Sequence, residues 1–212
     1  MKIALIGATG FVGSALLKEA VSRGHSVTAL VRNPAKVETS ANVKAVQVDV
    51  NDAKALTAKL TGHDVVISAF NGGWGDPDIY NKHLAGSNAI VEAAKTAKIR
   101  LIVIGGAGSL HALDGSQFVD SPHFPEAYRE GARAARDALA GLRKGDWQDW
   151  SFISPAAMLA PGERTGKFRL GGDEPVLDAN GDSHVSVEDL AVATLDEAET
   201  PRHTGKRFTL GY

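Results

Sequence analysis

The chain has 212 residues, of which 43% are hydrophobic and 23% charged, and its formal net charge at pH 7 is −2. So small a charge gives no general attraction to nucleic acid or to an anionic membrane, and we expect neither as a partner. The sequence contains no cysteine, which excludes disulfides, thiol catalysis and cysteine-ligated metal. Its 7 histidines lack the spacing of metal ligands, so we expect no metal site.

The apolar segments of the sequence are all short. The run at the N-terminus, residues 3–6, is shorter than the apolar core of a signal peptide. No run approaches the roughly 18 apolar residues of a membrane helix. We therefore expect a cytoplasmic protein, and the sequence leaves open whether it is a monomer or a dimer.

Short runs rich in valine and isoleucine predict strands, and amphipathic segments between them predict helices. The predicted strands cover residues 2–6, 26–31, 43–48, 64–68, 100–104 and 150–154, and the predicted helices cover residues 12–23, 52–60, 78–97, 124–144 and 186–198. Because strands and helices alternate, the sequence predicts an α/β fold with a Rossmann-type doubly wound parallel sheet.

The pattern changes after Pro155, where glycine and proline become frequent and the predicted strands become shorter. These short strands cover residues 167–170, 183–186 and 207–210. We expect a single domain over residues 1–212, in which residues 155–212 form a small C-terminal lobe on the substrate side.

The first predicted strand runs directly into a glycine-rich loop, GATGFVG. Gly7 permits a sharp turn, Gly10 lets a pyrophosphate approach the backbone, and Gly13 lets the following helix pack closely on the sheet. Amides at the start of that helix attract phosphate, so the loop predicts a dinucleotide site; a tight turn without ligand is the alternative. The residues expected to hold the dinucleotide here are Gly7, Thr9, Gly10, Phe11, Val12 and Gly13.

The residue at the end of the second strand indicates which dinucleotide binds. NAD-binding proteins usually carry an acidic residue there, which holds the ribose 2′-hydroxyl. This sequence has Arg32 in LVRNPAK, and an arginine can grip a 2′-phosphate with two parallel hydrogen bonds. We therefore predict NADP (NADPH) as the cofactor, the alternative being that Arg32 is a solvated surface residue.

The spacing Gly-x-x-Gly-x-x-Gly resembles the short-chain dehydrogenase/reductase superfamily, especially its extended and atypical branches. The resemblance implies that Asp49 and the amide of Val50 contact the adenine, although Asp49 could equally cap the next helix. It also implies that the ends of the fourth and fifth strands line the two riboses. The residues concerned there are Ser68, Ala69, Phe70, Gly105 and Gly106.

Most members of that superfamily carry a Tyr-x-x-x-Lys pair, in which the lysine lowers the tyrosine pKa for proton transfer. None of the three tyrosines here has that lysine: Leu84 follows Tyr80, Ala132 follows Tyr128, and Tyr212 is the last residue. Tyr128 lies in about the right region and is a weak catalytic candidate, packing or lining the pocket being the alternative. The missing pair favours an acceptor such as a flavin or quinone, whose proton can come from solvent.

Several further stretches, among them GHSVTALVRNPAK, VQVDVND, LIVIGGAGSL and DWSFISPAAMLAPGERTGKFRLG, extend the resemblance over almost the whole chain. The sequence resembles the atypical branch of NADH-flavin reductases related to NmrA-like proteins and to the biliverdin reductase B group. This implies that Pro155 passes beside the nicotinamide. It also makes Ser109 a weak catalytic candidate, because Ala107 occupies the position of a serine in the biliverdin reductase B group.

The expected function is an NAD(P)H-dependent reductase, NADPH preferred, that transfers hydride to a planar small-molecule acceptor such as FMN, another flavin or a quinone. A non-catalytic NADP(H) sensor of the NmrA type is the alternative, and a sugar-nucleotide epimerase or dehydratase is less favoured. Trp74, in a glycine-rich loop, could stack on a flat substrate or simply close the loop.

Overall fold

The computed structural model describes residues 1–212, in which strands and helices alternate along most of the chain. The strands are β1 (Lys2–Ile6), β2 (Ser26–Val31), β3 (Val43–Gln47), β4 (Val65–Ser68), β5 (Arg100–Ile104), β6 (Trp150–Ser154), β7 (Met158–Ala160), β8 (Arg169–Gly171), β9 (His184–Ser186) and β10 (Lys206–Gly211). The helices are α1 (Phe11–Ser22), α2 (Ala53–Leu60), α3 (Ile79–Ala97), α4 (Glu126–Lys144) and α5 (Val187–Glu199). No helix combines the length and the apolarity needed to cross a membrane.

Eight strands form the main sheet in the order β3-β2-β1-β4-β5-β6-β10-β8. Every neighbouring pair is parallel except β10 and β8, which are antiparallel. The strand order reverses between β1 and β4, and open α/β sheets bind ligands in the crevice at such a switch point. This topology confirms the predicted Rossmann-type sheet.

Two apolar cores cover the two faces of the sheet. Helices α1 and α5 pack on one face, with Leu16 and Leu190 in a core of 24 buried residues. Helices α2, α3 and α4 pack on the other, with Leu56, Ile90 and Leu139 in a core of 16 buried residues. Burial on both faces explains why the strands read as nearly continuous apolar runs.

Much of the segment 155–212 belongs to this main body. Strands β8 and β10 extend the sheet, and α5 fills one of its two cores. Only β7 and β9 lie outside the main sheet, where they form a two-stranded parallel sheet. Strand β7 has no counterpart among the predicted strands, because its three residues carry no alternating pattern.

Short polar side chains and a glycine mark the termini of three helices. Ser186 caps α5 by accepting a hydrogen bond of 3.0 Å from the amide of Asp189. Gly24, with a φ of 77°, stands just after the end of α1. Asp52 caps α2 by accepting a hydrogen bond of 2.9 Å from the amide of Ala55. The alternative role of Asp49 as the cap of this helix is therefore wrong.

A buried carboxylate ties the end of α5 to the sheet. Glu197 is 3% exposed and accepts hydrogen bonds from the side chains of Arg100, Ser151 and His203. Arg100 belongs to β5, Ser151 to β6, and His203 to the connection that leads into β10. Because Glu197 joins three elements that are distant in sequence, its charge holds the C-terminal part of the fold in place.

The ionisation of Glu197 makes part of the stability depend on pH. Burial alone would raise the pKa of Glu197, but hydrogen bonds from His203 and Ser151 outweigh it and hold the pKa below its ordinary value of 4.5. Because the pKa of Glu197 is lower in the folded than in the unfolded state, the ionised carboxylate stabilises the folded protein at a pH above the unfolded pKa. This stabilisation is lost as the pH falls through the pKa of the folded state.

We predict that Glu197→Gln lowers the free energy of unfolding by about 3–5 kcal/mol at neutral pH, because Arg100 is left buried without its counter-charge. The difference between wild type and variant should narrow as the pH falls below the ordinary carboxylate pKa of 4.5 and the wild-type carboxylate takes up its proton. Urea unfolding of both proteins from neutral to acidic pH measures this difference in the free energy of unfolding. An equal difference at every pH would contradict the role of the charge.

Candidate functional site

A cleft of about 640 Å³ opens at the switch point, at the carboxyl ends of β1 and β4. It is formed by the loops after β1, β2, β3 and β4 and by the first turns of α3. Of the residues predicted to bind the cofactor, those that line this cleft are Gly7, Thr9, Gly10, Arg32, Asp49, Val50, Ala69 and Phe70.

Each of the three glycines of the first loop has a different structural role. Gly7 has a φ of 81°, and a Cβ there would lie 2.5 Å from the carbonyl oxygen of Ala69. A Cβ on Gly13 would lie 1.9 Å from the carbonyl oxygen of Gly7, so α1 packs directly on the loop. A Cβ on Gly10 would meet only the Gly7 carbonyl oxygen, at 3.4 Å. Gly10 is therefore not required by packing within the chain, and it leaves open the space that a pyrophosphate needs.

The N-terminus of α1 presents unpaired donors beside Gly10. Gly10 is the N-cap and offers no side chain, and the amides of Phe11, Val12 and Gly13 have no acceptor within the protein. Free amides and the positive end of the helix dipole together favour a phosphate group. The residues present therefore fit the pyrophosphate of a dinucleotide.

Arg32 is exposed at the rim of the cleft and forms no ion pair within the protein. Its carbonyl oxygen accepts a hydrogen bond of 3.2 Å from Gln47, which fixes the backbone at the end of β2 while the guanidinium stays free.

The carboxylates of the cleft, by contrast, already have partners. Asp49 accepts hydrogen bonds of 2.9 and 3.0 Å from the backbone and side-chain nitrogens of Asn51. Asp76 forms an ion pair with Lys82. Arg32 is therefore the cationic side chain of the cleft that remains available to a ligand.

The loop between β4 and α3 and the start of α3 form one wall of the cleft, which sequence reasoning did not assign to the site. The residues of this wall are Asn71, Gly72, Asp76, Asp78, Asn81, Lys82 and Ala85. The position of α3 after a switch-point strand is the signal that could have indicated them, because its first turns must lie beside the crevice.

The predicted residues outside the cleft lie at the same edge of the sheet or next to it. Ser68 is buried at the end of β4, and Pro155 is buried just after β6. Gly105 follows β5, and a Cβ there would lie 2.1 Å from the ring of Phe152, so core packing alone requires this glycine. Gly106 has open space in the Cβ direction and meets nothing within 4 Å.

Two of the three tyrosines are engaged in structural hydrogen bonds. Tyr80 donates to Asp137 at 2.7 Å, and this hydrogen bond raises its pKa. Tyr212 donates to Asp189 at 2.7 Å, and burial raises its pKa. A raised pKa is the opposite of what a catalytic phenol needs.

The two weak catalytic candidates lie in different environments. Ser109 is 3% exposed, and its hydroxyl oxygen lies 3.4 Å from a guanidinium nitrogen of Arg207, which comes from β10. This buried position argues against contact between Ser109 and a substrate. Tyr128 is 54% exposed on the first turn of α4, with Ala132 one helical turn further on, and its hydroxyl makes no hydrogen bond within the protein.

The sequence and the structure both resemble known proteins. Residues 7–201 match a family model described as NAD(P)H-binding. The uncharacterized protein YwnB of Bacillus subtilis is 40% identical, and the match covers 99% of this chain and 98% of that protein.

Two solved structures share the fold over the full chain. A candidate epimerase from Bacteroides thetaiotaomicron has a TM-score of 0.93 and 43% identity, covering 100% of this chain and 96% of that one. A candidate NADH-flavin reductase from Streptococcus pneumoniae has a TM-score of 0.87 and 35% identity, covering 100% and 99%. With the glycine loop and the cleft that it forms, these likenesses show that the chain belongs to the NAD(P)H-binding family and has a Rossmann-type fold.

Proposed function

We propose that the protein is an NADPH-dependent reductase that transfers hydride to a flavin- or quinone-like acceptor. The observation that carries the choice of cofactor is the unpartnered guanidinium of Arg32 at the end of β2, beside carboxylates that are already paired. A guanidinium can form two parallel hydrogen bonds with a phosphate, and the strand end is where the 2′-position of the adenine ribose lies in this fold.

The chain supplies binding and orientation for such a cofactor. The amides of Phe11, Val12 and Gly13 would hold the pyrophosphate, and Arg32 would hold the 2′-phosphate. When bound, NADPH would supply the hydride. The protein's share of the chemistry is to keep the donor in one orientation at the carboxyl edge of the sheet.

The proposed acceptor follows from the hydrogen bonding and surroundings of the three tyrosine side chains. Tyr80 and Tyr212 are held by carboxylates, and Tyr128 lacks a lysine on its helix face. None of the three tyrosines is therefore well suited to donate a proton to an acceptor during hydride transfer. A flavin or a quinone spreads the new charge over a conjugated ring and can take its proton from water.

The likeness to the candidate NADH-flavin reductase of Streptococcus pneumoniae supports a flavin as acceptor. That protein's description specifies NADH, whereas Arg32 is our reason to propose NADPH. The likeness to the candidate epimerase of Bacteroides thetaiotaomicron favours a second reaction class. Epimerisation by this fold relies on a tyrosine of lowered pKa, and the arrangement of the three tyrosines argues against it.

We predict that Arg32→Ala weakens NADPH binding about 10- to 100-fold and leaves NADH binding unchanged, because a hydrogen-bonded ion pair with the 2′-phosphate is lost. Isothermal titration of both dinucleotides measures the two affinities. Lys59→Ala, which removes an exposed charge from α2, is the control for a general change in charge. A variant that kept its preference for NADPH would refute the role of Arg32.

We predict that Gly10→Ala retains its fold and loses at least about tenfold in NADPH affinity, because the added methyl group occupies the space of the pyrophosphate. Gly13→Ala should instead lose about 1–3 kcal/mol of stability or more, since its methyl group collides with the loop backbone. Thermal unfolding with and without NADPH separates the two effects. Equal loss of stability in both variants would contradict the distinct roles of these glycines.

We predict that the wild-type protein oxidises NADPH in the presence of FMN, riboflavin or a quinone. The loss of the near-ultraviolet absorbance of NADPH measures the reaction. Gly10→Ala provides the control for background oxidation. Tight NADPH binding without turnover of any acceptor would overturn the proposed reaction and favour a sensor of NADP(H).

A further inference from the structure

Two large aromatic side chains stand exposed next to each other at the carboxyl edge of the sheet. Trp74, in the loop between β4 and α3, is 58% exposed, and Tyr128, on the first turn of α4, is 54% exposed. Their ring centroids lie 5.3 Å apart and the ring planes meet at 89°. Adjacent exposed aromatic side chains at a ligand-binding edge are a candidate binding surface.

The indole of Trp74 is held in place although most of it is exposed. A Cβ on Gly131 of α4 would lie 2.7 Å from the six-membered ring of Trp74, so the indole rests on bare helix backbone. The side chain of Ile79 lies against the same position. Contacts with Gly131 and Tyr128 restrain the indole, and a restrained aromatic side chain loses little entropy when a ligand binds.

The loop that carries Trp74 also forms part of the dinucleotide cleft. Asn71, Gly72 and Asp76 line the cleft, whereas Trp74 between them packs on α4, the helix that follows β5. The aromatic pair therefore lies on the β5 side of the cleft. Arg32, which would mark the 2′-phosphate end, lies on the opposite side, at the end of β2.

We propose that Trp74 and Tyr128 bind the planar ring of the hydride acceptor, the indole by stacking and the phenol along the ring edge. This inference rests on the proposed function, because it names the surface on which that reaction's second substrate binds. Stacking on an aromatic side chain requires only a flat ring, which suits flavins and multi-ring quinones alike. Because the two side chains are perpendicular, the acceptor ring can contact the indole with its face and the phenol with its edge.

Riboflavin is the probe for this surface, because it presents the flavin ring without a phosphate. Its affinity for the protein loaded with NADP⁺ is measured by the quenching of flavin fluorescence, and its KM is measured with NADPH. We expect Trp74→Ala to raise both the dissociation constant and the KM of riboflavin about tenfold and to leave the NADPH affinity unchanged. Leu170→Ala, which truncates a side chain that is 47% exposed on β8, is the control for the loss of exposed apolar surface.

Four further variants separate stacking from other roles of these residues. Trp74→Phe should restore part of the affinity. Gly131→Ala should weaken binding with Trp74 still present, because its methyl group displaces the indole. Tyr128→Phe should leave KM and kcat unchanged, whereas loss of the hydroxyl would lower kcat if Tyr128 were a proton donor. Tyr128→Ala should raise KM, because the aromatic ring is lost.

The failure of this inference can be distinguished from the failure of the proposed function. Turnover of riboflavin with unchanged KM and affinity in Trp74→Ala would overturn the aromatic surface and leave the reaction standing. Riboflavin binding that depends on Trp74, without turnover in the wild type, would support the surface and overturn the reaction. If riboflavin does not bind to the wild-type protein, the surface is not an acceptor site.

Discussion

The close approach of three backbone segments at Gly7 is the constraint on which the site depends. Strand β4 reaches Gly7 through the carbonyl of Ala69, and α1 reaches it through Gly13, in both cases at distances that exclude a Cβ. This contact fixes the direction in which α1 leaves the sheet, so that its free amides face the switch point between β1 and β4. The position of these free amides is thus set by steric contact of backbone atoms, and side chains contribute little to it.

Charge then distinguishes the parts of the cleft. In the proposed complex NADPH brings phosphate to two places, where backbone dipoles would hold the pyrophosphate and the guanidinium of Arg32 would hold the 2′-phosphate. Pairing of Asp76 with Lys82 and of Asp49 with Asn51 keeps the carboxylates of the same cleft engaged with their own neighbours. Because the cleft is open to water, each of these interactions is screened.

The sequence predicted the fold, and it pointed to the glycine loop and the strand ends that line the candidate cleft, because both depend on local patterns. Strand ends, the glycine spacing and Arg32 can all be read within a few residues of one another. The rest depends on contacts between distant segments. The packing of Gly105 against the ring of Phe152 and the burial of Ser109 beneath Arg207, 98 residues further along the chain, cannot be read from local patterns. Likewise, the wall formed by residues 71–85 required knowledge of where α3 begins relative to the crevice.

The segment between β4 and α3 contributes to two surfaces at once. Asn71, Gly72 and Asp76 lie in the dinucleotide cleft, and Trp74 lies on α4. Gly73 and Gly75, with φ angles of 112° and 83°, flank the tryptophan and set the direction in which it leaves the backbone. The two surfaces therefore share one short stretch of main chain and cannot be altered independently. Any change in the conformation of this stretch alters both together, so under the proposed function a new acceptor preference acquired here must also preserve the dinucleotide cleft.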